Sequence, residues 1–345
     1  MATLTPGVMT YSEWAMRMDP TGKSAYLVNL LSQNNAMLQE MMAVQCQNGN
    51  SFEFTQVTSL PTPVKRSYNQ GVNPTMATVA KQVATCIEYA DTIQLDASLA
   101  ELNGQRNETR ARELMLHMQS LGQTVASDLF YANNNTDPTT FTGFSNIYNT
   151  VSTSTSQIAN NVIDCAGTGS TNASIWLIGW GDNQIHTIMP NGVPAGLNHL
   201  DKGLERVYDA DGKPYYAWVD WLKWNLGLAI HDWRYAVRAC NIDVTLFGGA
   251  STADLIGILA AMIMKPPVTP SGVGPVQTAD DPTVVMSRFA FYLNRTVYAE
   301  LDRQARTGTN ILLQMEQWAG VPTLAYRGIP IRNADALTIT ETRVV

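Results

Sequence analysis

Charge is scarce in this chain: Lys, Arg, Asp and Glu make up 15% of its 345 residues, against about 25% in an ordinary soluble protein. Basic side chains number 22 and acidic ones 29, a formal charge of -7. A surface built to coat nucleic acid is thereby excluded, because phosphate binding needs clustered Lys and Arg that release counterions. No apolar run approaches the roughly 18 residues of a membrane-spanning helix, and there is no basic-then-apolar secretion signal. The four cysteines, Cys46, Cys86, Cys165 and Cys240, are scattered without a Cys-x-x-Cys pair, so a reducing cytoplasm is the expected compartment. No repeat of 20 to 50 residues is visible. What the chain has instead is 45% hydrophobic residues, with 15 Met and 8 Trp. That is enough for a real core in two or more lobes, with a low-charge surface suited to subunit contacts, whose centres are poor in charge and rich in aromatics and Met.

Residues 76–95 carry the strongest pattern. Val79, Val83, Ile87, Tyr89, Ile93 and Leu95 share one parity, and Thr78, Gln82, Glu88, Thr92 and Gln94 the other, the period-two signature of a strand with one drier face. Read as one strand the run reaches roughly 65 Å at about 3.3 Å per residue, far beyond the usual length of about 3 to 10 residues. Phe52 to Tyr68 is its expected hairpin partner, with turn chemistry at Gln70-Gly71-Val72-Asn73-Pro74. A two-stranded arm is marginal in water, so assembly with something outside this chain's own core is the first inference. The alternative is two strands with a kink near Ala84.

The remainder reads as alternating helix and sheet. Thr10 with Glu13 forms a capping box, and Leu27 to Met42 is a Met-rich amphipathic stretch. Ser98 with Glu101 is expected to cap a helix running to Tyr131, with Gly104 and Gly122 as candidate breaks. Asn133 to Pro138 ends it, and a Ser/Thr/Asn-rich connection leads to about residue 173. Then come a short buried strand at Ile175–Ile178 closed by Gly179-Trp180-Gly181, and a hairpin from Glu205 to Ile230 turning at Asp209-Ala210-Asp211-Gly212. Its return strand should bury Leu222, Trp224, Leu226, Leu228 and Ile230. A helix is expected after Ser251 or Thr252 as far as Met264, then a loop holding Asp280, Asp281 and Pro282. A strand at Phe289–Leu293 follows, then a helix capped by Asn294 through Arg306, and β-structure from Ile311 that includes one strand over Leu324–Ile331.

Motifs for chemistry are weak. His117, His186, His199 and His231 have no spacing that puts two on one helical face. Gly167-Thr168-Gly169-Ser170-Thr171 lacks a phosphate-binding Lys and precedes a strand, and Asp209 to Gly212 lacks the Glu of a calcium loop. Trp218, Trp221, Trp224 and Trp233, interleaved with Asp220 and Asp232, would suit a carbohydrate-active enzyme. The parity of Trp224 points to a core instead, and Asp220 and Asp232 read as solvated strand-end charges.

The order of arm, long hairpin, long helix, sheet lobe and returning strand resembles the major capsid proteins of tailed bacteriophages with the Hong Kong 97-type fold, in a podovirus-like group. Particular strings carry the resemblance: Leu129 to Asn133 into Asp137-Pro138 and Phe141-Thr142-Gly143-Phe144, Gly179 to Asn183, Gly227 to Tyr235, Tyr292 to Thr296 and Tyr326 to Arg332. The resemblance implies an α+β fold with an N-terminal arm (1–45), an extended β-hairpin loop (46–95), a peripheral domain with a long spine helix (96–148), a sheet-centred axial domain (149–306) and strands returning to the peripheral domain (307–345). It implies no catalytic, cofactor-binding or metal residue and no cofactor. The expected partners are other copies in pentamers and hexamers, a separate scaffolding protein, a portal protein and a cement or decoration protein. The icosahedral head, built in the bacterial cytoplasm, encloses double-stranded DNA without sequence-specific binding and without a membrane. Lys65 and Lys81 lie in the hairpin, but no flanking string marks an isopeptide partner, and no crosslink is expected. An encapsulin-like nanocompartment shell and a carbohydrate-active enzyme are the alternatives.

Overall fold

In the computed structural model, the alternation of residues 76–95 becomes two strands with different partners. The structure describes residues 8–17, 32–152, 157–249, 252–267, 276–278, 281–285, 288–307, 313–318 and 321–345. In chain order the elements are α1 (Tyr11–Met16), α2 (Met37–Glu40), β1 (Ala43–Gln45), β2 (Ser51–Ser59), β3 (Thr78–Thr85), β4 (Ile87–Asp96), α3 (Ala97–Glu101), α4 (Arg106–Tyr131) and α5 (Phe144–Ile147), followed by β5 (Val162–Asp164), β6 (Asn172–Trp180), β7 (Ile185–Met189), β8 (Leu197–Tyr208), β9 (Pro214–Ile230) and β10 (Ala236–Asp243). Next are α6 (Leu255–Ile263), β11 (Val276–Thr278), β12 (Asp281–Val285), β13 (Arg288–Leu293), α7 (Arg295–Thr307), β14 (Leu313–Trp318), β15 (Val321–Tyr326) and β16 (Ile329–Asn333).

Several expected boundaries move. The single strand over 76–95 breaks at Cys86, where the backbone amide leaves the hairpin ladder and donates to the Asn50 carbonyl at 3.0 Å. The expected helix from Ser98 breaks at Gly104, whose φ of +66° cannot continue a right-handed helix, whereas Gly122 lies within an unbroken α4. Its first segment is capped not by Ser98 and Glu101 but by Asp96, whose Oδ1 accepts from the Ser98 and Leu99 amides at 2.8 and 3.2 Å. Asp254 similarly starts α6 by accepting from the Gly257 amide at 3.1 Å. The buried strand at 175–178 extends in β6 through Trp180. Leu324–Ile331 is two strands, β15 and β16, because Arg327 and Gly328 both take positive φ and turn the chain. Asp281 and Pro282 belong to β12, paired with β11, rather than to a loop. Of the Met-rich stretch from Leu27 to Met42, residues 27–31 lie outside the described residues, and in the rest Met37–Glu40 forms the short α2. The Thr10–Glu13 capping box forms, with the Thr10 amide donating to Glu13 Oε2 at 2.7 Å and the Glu13 amide to Thr10 Oγ1 at 3.3 Å.

The chain divides into two compact units, each discontinuous in sequence. One comprises Met1–Gln33, Glu88–Ala126 and Pro194–Leu226, so 194–226 groups with the long helix rather than with the rest of 149–306. Its core gathers Trp14, Leu95, Leu99 and Ala100, with Met9 and Trp218 against them. Strands β8 and β9 form an antiparallel hairpin from Leu197↔Trp224 to Tyr208↔Pro214. Its turn is the expected one, where Asp209 Oδ1 accepts from the Asp211 and Lys213 amides at 3.0 and 2.6 Å and Gly212 supplies φ +79°. Along β9, Leu222 and Leu226 are buried while Trp224 is half-buried. His117 Nδ1 meets Asp91 Oδ2 at 2.6 Å, Lys223 pairs with Glu88 at 2.6 Å and Arg17 pairs with Glu113.

The other unit comprises Asn34–Ile87, Ser127–Val193 and Gly227–Val345. Strand β6 is buried at every residue, with β10 and β13 antiparallel on its two sides and β16 parallel to β13. Strand β7 pairs with β1 in parallel and with the Gly227–Ile230 end of β9 antiparallel. Phe130, Phe144, Tyr148 and Trp176 pack with ring centroids about 6 Å apart and are fully buried. Asn294 caps α7 as expected, accepting from the Thr296 amide at 3.0 Å.

Beneath that aromatic cluster lies a charged network. Arg238 donates to Glu341 Oε2 at 2.8 Å, to the Tyr148 carbonyl at 2.8 Å and to Ser174 Oγ at 3.2 Å, and its guanidinium lies 5.2 Å from the Trp176 ring centre. Tyr131 donates to Glu341 Oε1 at 2.6 Å, and burial pushes that phenol well above its ordinary pKa. Glu341 thus locks the C-terminal segment onto the sheet.

Candidate assembly surface at the hairpin and its anchorage

Strands β2 and β3 pair antiparallel from Ser51↔Thr85 to Val57↔Val79, and after a bulge end at Ser59↔Thr78. Phe52 and Phe54 point to the dry side at the root, where they cluster with Cys46, Cys86, Ile188 and Ala229. Phe52 meets His186 edge-on at 5.0 Å, and Phe54 stacks on His231 at 4.8 Å. Burying each phenyl contributes about 1.5–3 kcal/mol. Gln56 then clamps the strand, donating from Nε2 to the carbonyls of Ile230 and His231 at 3.2 and 2.9 Å. The leading leg is held by Glu40, which accepts from Arg332 Nε and from the Tyr292 hydroxyl, both at 2.6 Å.

Past Gln56 the support ends. Val79 lies on the expected apolar parity yet is 62% exposed, and Val57 is exposed opposite it; nearer the root, Val83 opposite Glu53 is 56% exposed, because the drier side of β3 holds Ala80 and Ala84. Residues 60–77 have no regular secondary structure and expose Leu60, Val64, Val72, Met76 and Tyr68, the last at 96%. A line of apolar side chains on an extended arm marks an interaction surface. Alongside the root runs a cleft of about 330 Å³ lined by Phe54, Gln82, Ala84, Phe141, Ile230 and Trp233, among others.

Gly227 sets how closely the root seats. A Cβ there would lie 2.5 Å from the Thr85 carbonyl oxygen and 3.1 Å from Cys86 Cα, backbone atoms that cannot step aside. Gly227→Val should therefore cost about 1–3 kcal/mol and speed deuterium exchange in peptides spanning Thr85 and Cys86; unchanged exchange there would contradict tight seating.

His186 is buried beneath Phe52, and burial holds its imidazole below the ordinary value of 6.5. The fold therefore favours the neutral ring. Its contribution to stability is complete above pH about 6.5 and is lost as pH falls through the ordinary value toward the lower folded one. Urea midpoints of the free subunit should drop between pH 7 and 5, and His186→Leu should flatten that slope. An equal slope in both proteins would assign the acid sensitivity elsewhere.

The Trp-rich segment holds ion pairs. Asp220 is buried, accepting from Arg110 Nε at 3.2 Å and Nη2 at 2.8 Å, with His199 Nε2 2.9 Å away. It is not the solvated strand-end charge expected from the sequence. Arg110 also bonds Asp201 at 2.7 Å and holds that carboxyl below the usual carboxylate range. Trp218 has Arg106 and Arg110 over its ring at 4.6 and 5.1 Å, and Trp221 has Lys202 and Lys223 at 5.5 and 5.7 Å. Asp232 pairs with Arg234 at 2.8 Å and caps the turn at Trp233. Trp218 and Trp221 are thus covered by cations, and Asp220 and Asp232 are engaged by arginines.

The family model described as Major capsid protein GP7 matches residues 19–345. This chain belongs to that family. A chain in the cryo-EM structure of bacteriophage Epsilon15 is 28% identical to the capsid protein and superposes with a TM-score of 0.77, over 100% of this chain and 99% of that one. The bacteriophage JBD30 capsid is matched at 8% identity and a TM-score of 0.44, over 89% and 93% of the two chains. The holo-SrpI encapsulin complex of Synechococcus elongatus is matched at 10% identity and 0.42, over 67% and 95%. No curated protein matches. The α+β Hong Kong 97-type fold expected from the sequence is the fold of this capsid protein. Its role is structural: copies assemble into a phage capsid, and the virion is its location.

Proposed function

We propose that this capsid protein builds a closed icosahedral head of pentamers and hexamers around double-stranded DNA, with the β2–β3 hairpin lying across a neighbouring subunit. One observation carries the reading: the hairpin is anchored by Phe52, Phe54 and Gln56 at its root and leaves apolar side chains exposed along the rest of its length. One chain placed in slightly different settings closes a curved shell, and an arm on a rigid anchorage suits that demand. The net charge of -7 suits a wall that must not grip packaged phosphates.

Residues 46–95 then serve as the extended loop and 1–45 as the arm. The long helix of 96–148, together with 194–226 grouped beside it, forms the peripheral domain, and the large sheet the axial one. The expected co-assembling proteins are a scaffold, a portal and a cement protein, with assembly in the bacterial cytoplasm before DNA entry.

Trypsin tests the hairpin's place directly, because Lys65 and Arg66 sit at its tip. Free subunits should be cut there first, and assembled particles should resist for many times longer. Equal cleavage of the two forms at Lys65 and Arg66 would show that assembly leaves the tip uncovered and would overturn the reading.

A further inference from the structure

The root of the hairpin holds a pair of thiols that the shell role does not use. Cys46 Sγ and Cys86 Sγ are 3.2 Å apart, one on each leg, and both residues are 3% exposed. They lie just below the first rung of the ladder, Ser51↔Thr85, beside the Asn50 Nδ2 to Cys86 carbonyl bond of 2.9 Å. Forming a bond from this separation requires the sulfurs to approach by about 1.2 Å, to the usual 2.0 Å, which side-chain rotation can supply. Cys240, by contrast, donates its thiol to the Ile163 carbonyl.

We propose that Cys46 and Cys86 are an oxidation site, a dithiol that a low-molecular-weight disulfide converts into a covalent staple across the hairpin root. The reaction balances as ordinary exchange. One cysteine thiolate attacks the small disulfide, forming a mixed disulfide and releasing one small thiolate. The second cysteine sulfur then attacks the mixed disulfide, the protein S–S bond forms, and a second small thiolate leaves. Two electrons pass from the protein sulfurs to the oxidant, and the two thiol protons end on the two released thiols. Burial raises both thiols above their ordinary pKa, so the thiolate is scarce and oxidation is slow. The pair stays reduced in a glutathione-buffered cytosol and closes after particles meet oxidising surroundings. The bond would close a loop over residues 46–86, which contains the whole exposed arm. Such a crosslink restricts the unfolded state and keeps the two legs together.

The test is to incubate the purified full-length protein with oxidised glutathione, block remaining thiols and digest with trypsin without reduction. A linked pair of peptides, 24–65 with 82–106, lighter by two hydrogens than the separate peptides, is expected, with Cys165 and Cys240 found blocked. Oxidation should also raise the urea midpoint of the wild type and leave those of Cys46→Ser and Cys86→Ser unmoved. The linked peptides are read on the wild type, so poor folding of a serine variant does not obscure the answer. Exhaustive oxidation that leaves both thiols blockable, or that yields only glutathione adducts, would overturn the proposal. Linkage without a rise in midpoint would overturn the staple role. The result does not depend on whether shells form, because free subunits report it equally.

Discussion

Arg238→Met should leave a subunit about 3–5 kcal/mol less stable than the wild type, enough to keep most of the protein out of the soluble fraction. The reason is what the arginine leaves behind. Glu341 is buried and takes its charge compensation from Arg238 at 2.8 Å, with Ser174 and Tyr131 as further donors among the described residues. Removing the guanidinium strands a carboxylate under the Phe130, Phe144, Tyr148 and Trp176 cluster and frees the Tyr148 carbonyl that Arg238 bonded at 2.8 Å. Burying an unpaired charge is far costlier than losing one hydrogen bond, which is about 1 kcal/mol. The double variant Arg238→Met, Glu341→Leu should recover most of the loss, because replacing both partners by apolar groups is often neutral. Urea unfolding of the free subunits gives both values. A double variant as unstable as the single one would show that the network acts through geometry rather than charge.

Replacing residues 60–77 by Asn-Gly should have the opposite profile: a subunit as stable as the wild type to within about 1 kcal/mol, and no closed shells. Ser59 and Thr78 already face each other across the ladder, and a two-residue Asn-Gly turn closes such a pair without strain. The deleted stretch contributes nothing to the subunit's own core, since its large side chains are exposed. To the assembly it offers Leu60, Val64, Tyr68, Val72 and Met76, each able to add about 1.5–3 kcal/mol if covered by a neighbour, before the ordering cost of association. Sedimentation of the variant alongside wild type measures the outcome. Normal particle yield from a subunit lacking the tip would show that these side chains are spectators.

Much of this architecture is legible in the sequence, and the misses share one cause. The parity of Ile93 and Leu95 is read correctly, but that of Val79 and Val83 is not, since both are exposed and the drier side of β3 holds Ala80 and Ala84; alternation reports the faces of a strand and not its partners. β3 pairs with β2, β4 joins a different sheet, and the change at Cys86 leaves no mark in the period. The same holds for Asp220. Its position on β9 suggests a solvated end, whereas Arg110, 110 residues earlier, covers it from the long helix. Arg238 and Glu341 are 103 residues apart, and nothing local signals that they meet. Local chemistry did better: Asp209 to Gly212 turns as its residues demand, Asn294 caps α7, and Gly104 breaks the helix where a positive φ is needed. Ser98 and Glu101 fit the capping-box pattern and so mask the actual cap, Asp96, which sits at the junction itself and reaches two amides.

The central claim is that the arm belongs to the assembly rather than to the subunit. A cryo-EM reconstruction of particles formed by the full chain with its co-assembling proteins tests it most directly. The account requires a closed shell of five- and six-fold clusters in which Leu60, Tyr68 and Met76 lie against an adjacent subunit, while Phe52, Phe54 and Gln56 keep their contacts at home. A shell in which residues 60–77 fold back on their own subunit or point into solvent would contradict it.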